Sequence, residues 1–217
     1  MYDFHSISLS PAEMLVLNVM TLSLIMLALY RGERQLDSNR PWAMLSLLAI
    51  FGISGRILLE PLPNIQPVTM LVLLAGIYFG GWRALALAGT IAWVSNVLVL
   101  GHGPWTFFQA LGWGAVGLSG AGLSGFLLDG NRIRVTRLAY VSAASAFLIA
   151  WIVSSIILLE TGTSMIVPYL INGLAFDLSH AAGNVAFVAW MAVPLSDMIL
   201  RHSADPAREA VSEVVAN

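Results

Sequence analysis

The sequence predicts an all-α, polytopic membrane helix bundle. Of its 217 residues, 58% are hydrophobic and only 10% are charged, whereas a soluble domain carries about 25% charged residues. The mean hydropathy is +0.82. Because backbone in lipid must satisfy its own hydrogen bonds, the long apolar runs are expected to be helices. At about 20 residues per crossing, six or seven spans fit, with little room for an ATPase, a kinase or a DNA-binding module.

Cysteine content and the amino-terminal residues narrow the class further. The chain has no cysteine, which excludes disulfides, thiolate metal sites and cysteine nucleophiles. The first ten residues carry Asp3 but no lysine or arginine. The first apolar run is therefore predicted to be a retained helix and not a cleaved signal peptide.

The charge-free runs predict seven spans, and three of the connections between them lie on the predicted outer side. Three prolines between Glu60 and Pro67 forbid a regular helix there. A second break is the Gly-rich segment 101–104, and a third outer connection is predicted over 160–176. The predicted spans are 12–30, 41–59, 68–79, 84–100, 105–128, 138–159 and 177–199.

The arginines predict the orientation of these spans, since positive charges collect on the cytoplasmic side. With seven alternating spans, nine of the ten arginines fall on one side and only Arg56 falls toward the other. We therefore expect a bacterial-type inner (cytoplasmic) membrane protein with its amino terminus outside and its carboxyl terminus inside. The nine are Arg31, Arg34, Arg40, Arg83, Arg132, Arg134, Arg137, Arg201 and Arg208.

Polar side chains within the spans gather in the predicted outer half. Asp177, His180 and Asn184 share one helical face at positions i, i+3 and i+7. A largely apolar cavity with a few convergent polar groups is typical of a small-molecule site, and an ionisable residue inside a membrane indicates function. The predicted site residues from this reasoning are Arg56, Asn96, Trp105, Gln109, Trp113, Asp177, His180 and Asn184.

Each of these residues also has a structural interpretation. Arg56 could extend to the interface or pair with Glu60 four residues on. The polar face around His180 could be a hydrogen-bond network between helices. Trp105 and Trp113 could belong to an interfacial aromatic belt.

Small residues recur every three positions along the second span, which is a pattern of close helix contact. They cover more surface than one internal neighbour requires, which predicts contact with a partner membrane protein. The residues are Ala43, Ser46, Ala49, Gly52 and Gly55.

Several separated motifs resemble the substrate-binding S components of energy-coupling factor (ECF) vitamin transporters. The similarity covers about residues 56–201 and is strongest to the cobalamin-type subgroup. The motifs are Arg56 with 61–69, Gly76 with 79–80, 95–96 with 101–106 and Gln109, and 176–180 with 183–184.

This resemblance implies a six-helix S-component-like core with one extra amino-terminal transmembrane helix. The implied divisions are 1–40 for the extra helix and cytoplasmic loop, 41–201 for the substrate-binding membrane domain, and 202–217 for a short cytoplasmic tail. The implied partners are a vitamin, a transmembrane coupling protein, two cytoplasmic ATPases and the lipid bilayer, with no nucleic acid. No catalytic activity and no resident cofactor are expected.

The resemblance also adds residues to the predicted site. Pro63, Asn64 and Gln66 are placed in the site by it, and His180 or His102 would ligate the cobalt of a bound corrinoid, since imidazole is a suitable ligand. One departure concerns the coupling helix, where alanines four apart are frequent in these S components. Here Ala49 is followed four residues later by Ile53.

Three alternatives stay open from the sequence. The same scaffold could bind another vitamin or a queuine-like base. A haem- or quinone-binding subunit of a redox complex could use His102 and His180 as axial ligands. A membrane enzyme could use Asp177 and His180 as an acid–base pair.

Overall fold

The computed structural model describes residues 9–34, 41–62 and 64–203, and these residues form an all-α helix bundle. The predicted fold class is therefore confirmed. Five helices in the described ranges are long and apolar enough to cross a membrane, as expected for a multi-pass membrane protein. They are Pro11–Gly32, Pro41–Leu58, Gly81–Leu100, Val135–Ile157 and Gly162–His202.

Nine α-helices are described, in chain order. They are α1 (Pro11–Arg34), α2 (Pro41–Leu58), α3 (Val68–Phe79), α4 (Gly81–Ser95), α5 (Trp105–Gly122), α6 (Ser124–Leu127), α7 (Val135–Ser154), α8 (Leu158–Thr161) and α9 (Ile166–Ser203). A π-helical turn, Asn96–Leu100, extends α4, and short 3-10 helices, Ser155–Ile157 and Gly162–Met165, flank α8. Two antiparallel strands, β1 (Leu128–Asp129) and β2 (Arg132–Ile133), form a small hairpin between α6 and α7.

Helix α3 is the centre of the bundle. Every residue from Val68 to Ile77 is buried, although the helix is shorter than a full crossing. Its glycines and those of α5 permit a very close approach. A Cβ added to Gly120 would stand 2.6 Å from the carbonyl oxygen of Leu73, and one on Gly76 would overlap the carbonyl oxygen of Gly117. Close backbone contact of this kind is typical of small residues in membrane helices.

Helix α1 packs on α4 and is otherwise exposed. A Cβ on Gly89 would meet Ile25 at 2.6 Å, so the two helices cross closely there. Nearer the start of α4, the Arg31 guanidinium lies 5.4 Å from the centroid of the Trp82 ring. The remainder of α1 presents apolar side chains outward, as a lipid-facing helix does.

The predicted outer connection over 160–176 is wrong. Helix α9 begins at Ile166 and runs for 38 residues, with Pro194 in its interior, which corresponds to about 57 Å of helix at 1.5 Å per residue. Pro168 falls in the first turn, where its missing N–H has no intrahelical acceptor in any case. The segment is apolar, so the helix can extend through it.

Two predicted boundaries also differ. The span predicted over 105–128 ends at Gly122, and a turn at Leu123 leads into α6. The span predicted from 138 begins earlier, at Val135, directly after the hairpin. The number of crossings stays a prediction, because α3 is short and α5 is not among the five helices long and apolar enough to cross.

Arg56 and Arg83 lie near opposite ends of the bundle. Arg83 is in the first turn of α4, whereas Arg56 donates to Ser95 at the last residue of α4. Twelve residues of helix separate these two levels, about 18 Å along the axis. Arg56 thus lies at the opposite end of α4 from Arg83, while the side of the membrane it faces stays a prediction.

Candidate ligand-binding site

Arg56, in the last turn of α2, joins three other parts of the chain. Its Nε donates to Oε1 of Gln66 at 2.9 Å, Nη1 donates to Oγ of Ser95, and Nη2 donates to Oε1 of Gln109 at 3.3 Å. The side chain is 3% exposed. The end of α2, the loop before α3, α4 and α5 therefore meet at one buried guanidinium.

No carboxylate in the part of the chain that the structure describes lies within salt-bridge distance of Arg56. The described residues do form an ion pair elsewhere, between Arg134 and Asp129 at 3.5 Å. Glu60, the partner suggested by its spacing, is exposed. Both structural interpretations of Arg56, extension to the interface and pairing with Glu60, are therefore wrong. The guanidinium instead lies 4.8 Å from the centroid of the Trp113 ring, a cation–π contact.

The hydrogen bonds continue from Gln109 towards α1. Nδ2 of Asn96, the first residue of the π-helical turn, donates to Oε1 of Gln109 at 2.8 Å and to Oγ1 of Thr106 at 2.9 Å. Nδ1 of His102 lies 3.1 Å from Oγ1 of Thr106, and its Nε2 lies 2.7 Å from Oδ1 of Asn18. Short π-helical turns inside helices frequently occur at functional sites.

These contacts assign the tautomer of His102. Oδ1 of Asn18 can only accept, so Nε2 of His102 carries the proton and Nδ1 accepts from the Thr106 hydroxyl. Partial burial lowers the pKa of His102 below its usual range, which favours this neutral form. We call the connected residues the Arg56 network: Asn18, Arg56, Gln66, Ser95, Asn96, His102, Thr106 and Gln109.

The predicted polar face of the last span, which we call the α9 stripe (Asp177, His180 and Asn184), is also buried. These side chains are 5%, 6% and 0% exposed. Nε2 of His180 lies 3.2 Å from Oγ1 of Thr69, and Nδ2 of Asn184 donates to the carbonyl oxygen of Ser142 at 3.1 Å. Oδ1 of Asn184 has no partner among the described residues. The stripe faces the bundle interior.

The segment from Ile65 to Thr69 connects the Arg56 network to the α9 stripe. Gln66 is hydrogen-bonded to Arg56. Thr69, three residues after Gln66, is hydrogen-bonded to His180. A Cβ on Gly183 of α9 would lie 3.2 Å from Ile65. The proline-rich loop thus contacts the Arg56 network, and the first turn of α3 contacts the α9 stripe.

Two predicted site residues, Asn64 and Trp105, lie outside both polar clusters. Asn64 is exposed and has a φ of 58°, a left-handed conformation that asparagine tolerates in turns. Trp105 donates from Nε1 to the carbonyl oxygen of Gly101 at 3.2 Å, and its ring covers Gly103. Trp105 is therefore part of the loop's own packing. Pro63 lies outside the described residues.

Sequence reasoning did not include four residues whose side chains complete these clusters: Asn18, Thr69, Ser95 and Thr106. Ser95 directly precedes Asn96, and Thr106 is three residues before Gln109, which helical spacing would have indicated. Thr69 falls within the motif 61–69. No local pattern distinguishes Asn18.

The two histidines suggested as cobalt ligands differ in availability. Both ring nitrogens of His102 are engaged within the Arg56 network, so ligation by this residue would break a contact. For His180 a contact is described at Nε2 alone. Within the described ranges, no three His, Asp or Glu side chains are grouped as a metal site. His180 is thus the better placed of the two.

An apolar cavity of about 360 Å³ lies elsewhere, between the first turns of α1 and Leu159. Its lining includes Leu9, Val16 and Leu17, together with Glu13, whose carboxylate is hydrogen-bonded to Ser10. It includes none of the Arg56 network. Such a surface suits lipid or a helix and offers little to orient a polar ligand.

The predicted small-residue face of α2 is divided by the structure. In an α-helix, three residues fall about 60° short of a full turn. Each successive small residue is therefore displaced by that angle around the helix, and five of them cannot share one face. Gly52 is buried, and a Cβ there would overlap Ile91; a contact of Gly52 with a partner protein is therefore wrong. Gly55 is half-buried and packs within the bundle, since a Cβ there would lie 2.5 Å from the Pro67 ring. Ala43 and Ser46 are exposed and Ala49 is half-buried, so the predicted partner contact stays a prediction for these three.

The fold and the buried clusters define a multi-pass membrane protein with a polar site inside an apolar bundle. The chain belongs to a family of unknown function, DUF6580, which matches residues 36–202. The matched region includes α2 to α9 and excludes α1. No curated protein and no solved structure matches the chain.

Proposed function

We propose that this protein is the substrate-binding S component of an ECF-type uptake transporter, and that it binds cobalamin or a related corrinoid. The observation that carries the proposal is the Arg56 network, a buried set of polar side chains at one end of a mainly apolar bundle. Holding an ionised side chain at membrane depth is costly. A buried ionised side chain is therefore expected to have a function, and convergent polar groups in an apolar interior are typical of a ligand-binding site.

The position of the network supports a site that opens to one side of the membrane. Gln66 belongs to the proline-rich loop before α3, and His102 belongs to the Gly-rich loop before α5. Both loops are at the Arg56 end of the bundle, opposite Arg83. Movement of these two loops would expose the network, and we propose that the ligand enters between them.

The geometry favours binding over the acid–base alternative. His180 contacts Thr69 through Nε2, and the hydrogen bonds of the described residues include none between Asp177 and His180. The two side chains of the proposed acid–base pair are therefore not joined to each other. A stripe held this way can orient a ligand without transferring a proton.

In this proposal, energy for uptake comes from a transmembrane coupling protein and two cytoplasmic ATPases. The surface proposed for the coupling protein is the exposed part of α2, at Ala43 and Ser46. Helix α1, which lies outside the family match, covers α4 and donates Asn18 to the network.

The test is ligand binding by the detergent-purified protein. Isothermal titration with cobalamin and a panel of other vitamins should give stoichiometric binding of one compound, and Asp177→Ala should weaken it. Arg137→Gln is the control. Arg137 also lies over an aromatic ring, that of Phe126, but this pair is beside the β-hairpin and is not part of the Arg56 network. Binding of another vitamin would keep the transporter and change its substrate. Lack of binding throughout, or a haem Soret band in the purified protein, would contradict the proposal.

A further inference from the structure

We propose that Arg56 and Trp113 form an anion-binding subsite, so that the ligand of this protein carries a carboxylate or phosphate group. The inference deepens the proposed function and rests on it, because it names the chemical class of the substrate. It is carried by the unused hydrogen-bond donors of the two side chains and by the lack of a nearby carboxylate among the described residues.

The guanidinium retains two N–H groups. Arginine has five N–H donors, and the described contacts use one on each of its three nitrogens. One N–H is left on Nη1 and one on Nη2. Two donors on neighbouring nitrogens are what a carboxylate or phosphate engages in a bidentate contact.

The aromatic contact of Arg56 is separate from these donors. Its Cζ lies over the Trp113 ring, 4.8 Å from the ring centroid. A cation–π contact is an attraction between the charge and the ring face and does not require a hydrogen-bond acceptor. The aromatic contact therefore holds Arg56 in place without using a hydrogen bond.

Trp113 supplies a further donor. The indole is 3% exposed, and its Nε1 has no hydrogen-bond partner among the described residues. An indole nitrogen can only donate, and a buried donor without an acceptor is costly. An oxygen with a free lone pair would accept from this N–H and also from the unused N–H groups of Arg56.

The charge balance indicates that this acceptor is an anion. All three described acceptors of Arg56 are neutral, an amide on Gln66, a hydroxyl on Ser95 and an amide on Gln109. A buried cation is stabilised most by a paired charge. A ligand with one anionic group would provide that charge together with lone pairs for the unused N–H groups.

The experiment compares compounds that differ at their anionic group. The matched pairs are pantothenate and pantothenol, and biotin and biotinamide. Cobalamin and cobinamide are compared in addition, since cobinamide lacks the phosphodiester together with the rest of the nucleotide loop. Titration of the purified protein should show at least about tenfold tighter binding of the anionic member, as expected for hydrogen bonds to a charged group. The difference should disappear in Arg56→Gln and persist in the control Arg137→Gln.

Two further variants keep the test informative if Arg56→Gln does not fold. Arg56→Lys keeps the charge and removes the fork, so the preference for the anionic member should shrink. Trp113→Phe keeps a ring for stacking and removes the N–H, and should have a smaller effect in the same direction. Equal affinities for both members of the bound pair would overturn the inference.

Thermal stability in benzoate and in inorganic phosphate, at constant ionic strength, provides a test without a known substrate. Either anion should raise the melting temperature of the wild-type protein more than that of Arg56→Lys. Identical responses of the two proteins would overturn the inference.

A lipid headgroup is a second source of phosphate. Nanodiscs of phosphatidylcholine should leave the preference for the anionic member intact, and addition of phosphatidylglycerol should not reduce it. Loss of the preference in phosphatidylglycerol would assign the anion to lipid and overturn the substrate class. Tight binding of a neutral compound would refute the anion subsite and leave the proposed transporter function standing. Arg56-dependent binding of an anion without vitamin-dependent uptake would refute the transporter function and leave the anion subsite standing.

Discussion

The guanidinium of Arg56 lies 4.8 Å from the centroid of the Trp113 ring, which places a buried positive charge against an indole in the interior of the bundle. Cation–π contacts strengthen when the groups are desolvated, to about 2 kcal/mol. The pair joins the end of α2 to the middle of α5. Ser95, Gln66 and Gln109 then hold the same charge from other directions.

Gln109→Glu should abolish the preference for an anionic ligand without loss of folding. Oε1 of Gln109 already accepts from Arg56, so a carboxylate of the same shape would pair with the guanidinium inside the protein. Titration calorimetry should show at least about tenfold weaker binding of the anionic compound. Gln109→Leu is the contrasting variant, since it leaves donors of Arg56 and Asn96 without an acceptor and should reduce stability. Undiminished anion binding by Gln109→Glu would contradict the assignment.

Gly76→Ala should destabilise the protein by about 1–3 kcal/mol, the cost of overpacking a close contact. The added Cβ would overlap the carbonyl oxygen of Gly117, which is backbone of α5. Thermal unfolding in detergent measures the effect. Gly122→Ala is the control, because a Cβ there meets nothing within 4 Å. Equal melting temperatures for the two variants would show that the α3–α5 approach is looser than described.

The stability of the protein should decrease as the pH falls below about 6.5, the usual pKa of histidine. The pKa of His102 is lowered by burial, so the unfolded chain binds a proton that the folded chain resists, and stability is present above 6.5 and lost towards the lowered pKa. Melting temperatures between pH 7.5 and 5.5 should fall less for His102→Gln than for the wild type. The same slope in both proteins would remove His102 as a cause.

The predicted orientation places the loop before α3 outside the cell and the β-hairpin inside. Because the chain has no cysteine, single cysteines can be introduced without background labelling. Asn64→Cys should react with a membrane-impermeant maleimide in intact cells, and Asn131→Cys should react after permeabilisation. Both parent side chains are exposed, so access within the protein is matched. The reverse pattern would invert the orientation.

Ala43→Leu and Ser46→Leu should impair uptake while ligand binding persists. Both residues are exposed on α2, where bulk would prevent close approach of a partner helix. Gly52→Leu should instead damage folding, because its Cβ would overlap Ile91. Uptake in cells and binding by purified protein distinguish the two effects. Normal uptake by both surface variants would place the coupling contact elsewhere.

Much of the candidate site was predictable from helical spacing and from the cost of polarity in lipid. Arg56, Asn96 and Gln109 were identified as polar residues within apolar spans, and the structure connects them. The inward position of the α9 stripe also follows from a pattern within one helix. Asn18 was not identified, because one asparagine in a lipid-facing helix shows no pattern until His102 is seen beside it.

The sequence by itself determined that this protein is an all-α membrane bundle, because apolar runs without charge can be stable in lipid only as helices. It also determined that Arg56 is exceptional among the arginines. The partners of Arg56 were decided by the tertiary structure alone, since Gln66, Ser95 and Gln109 are ten, 39 and 53 residues away. Contacts at such separations depend on how helices cross, which here follows from the glycines that bring α3 and α5 together.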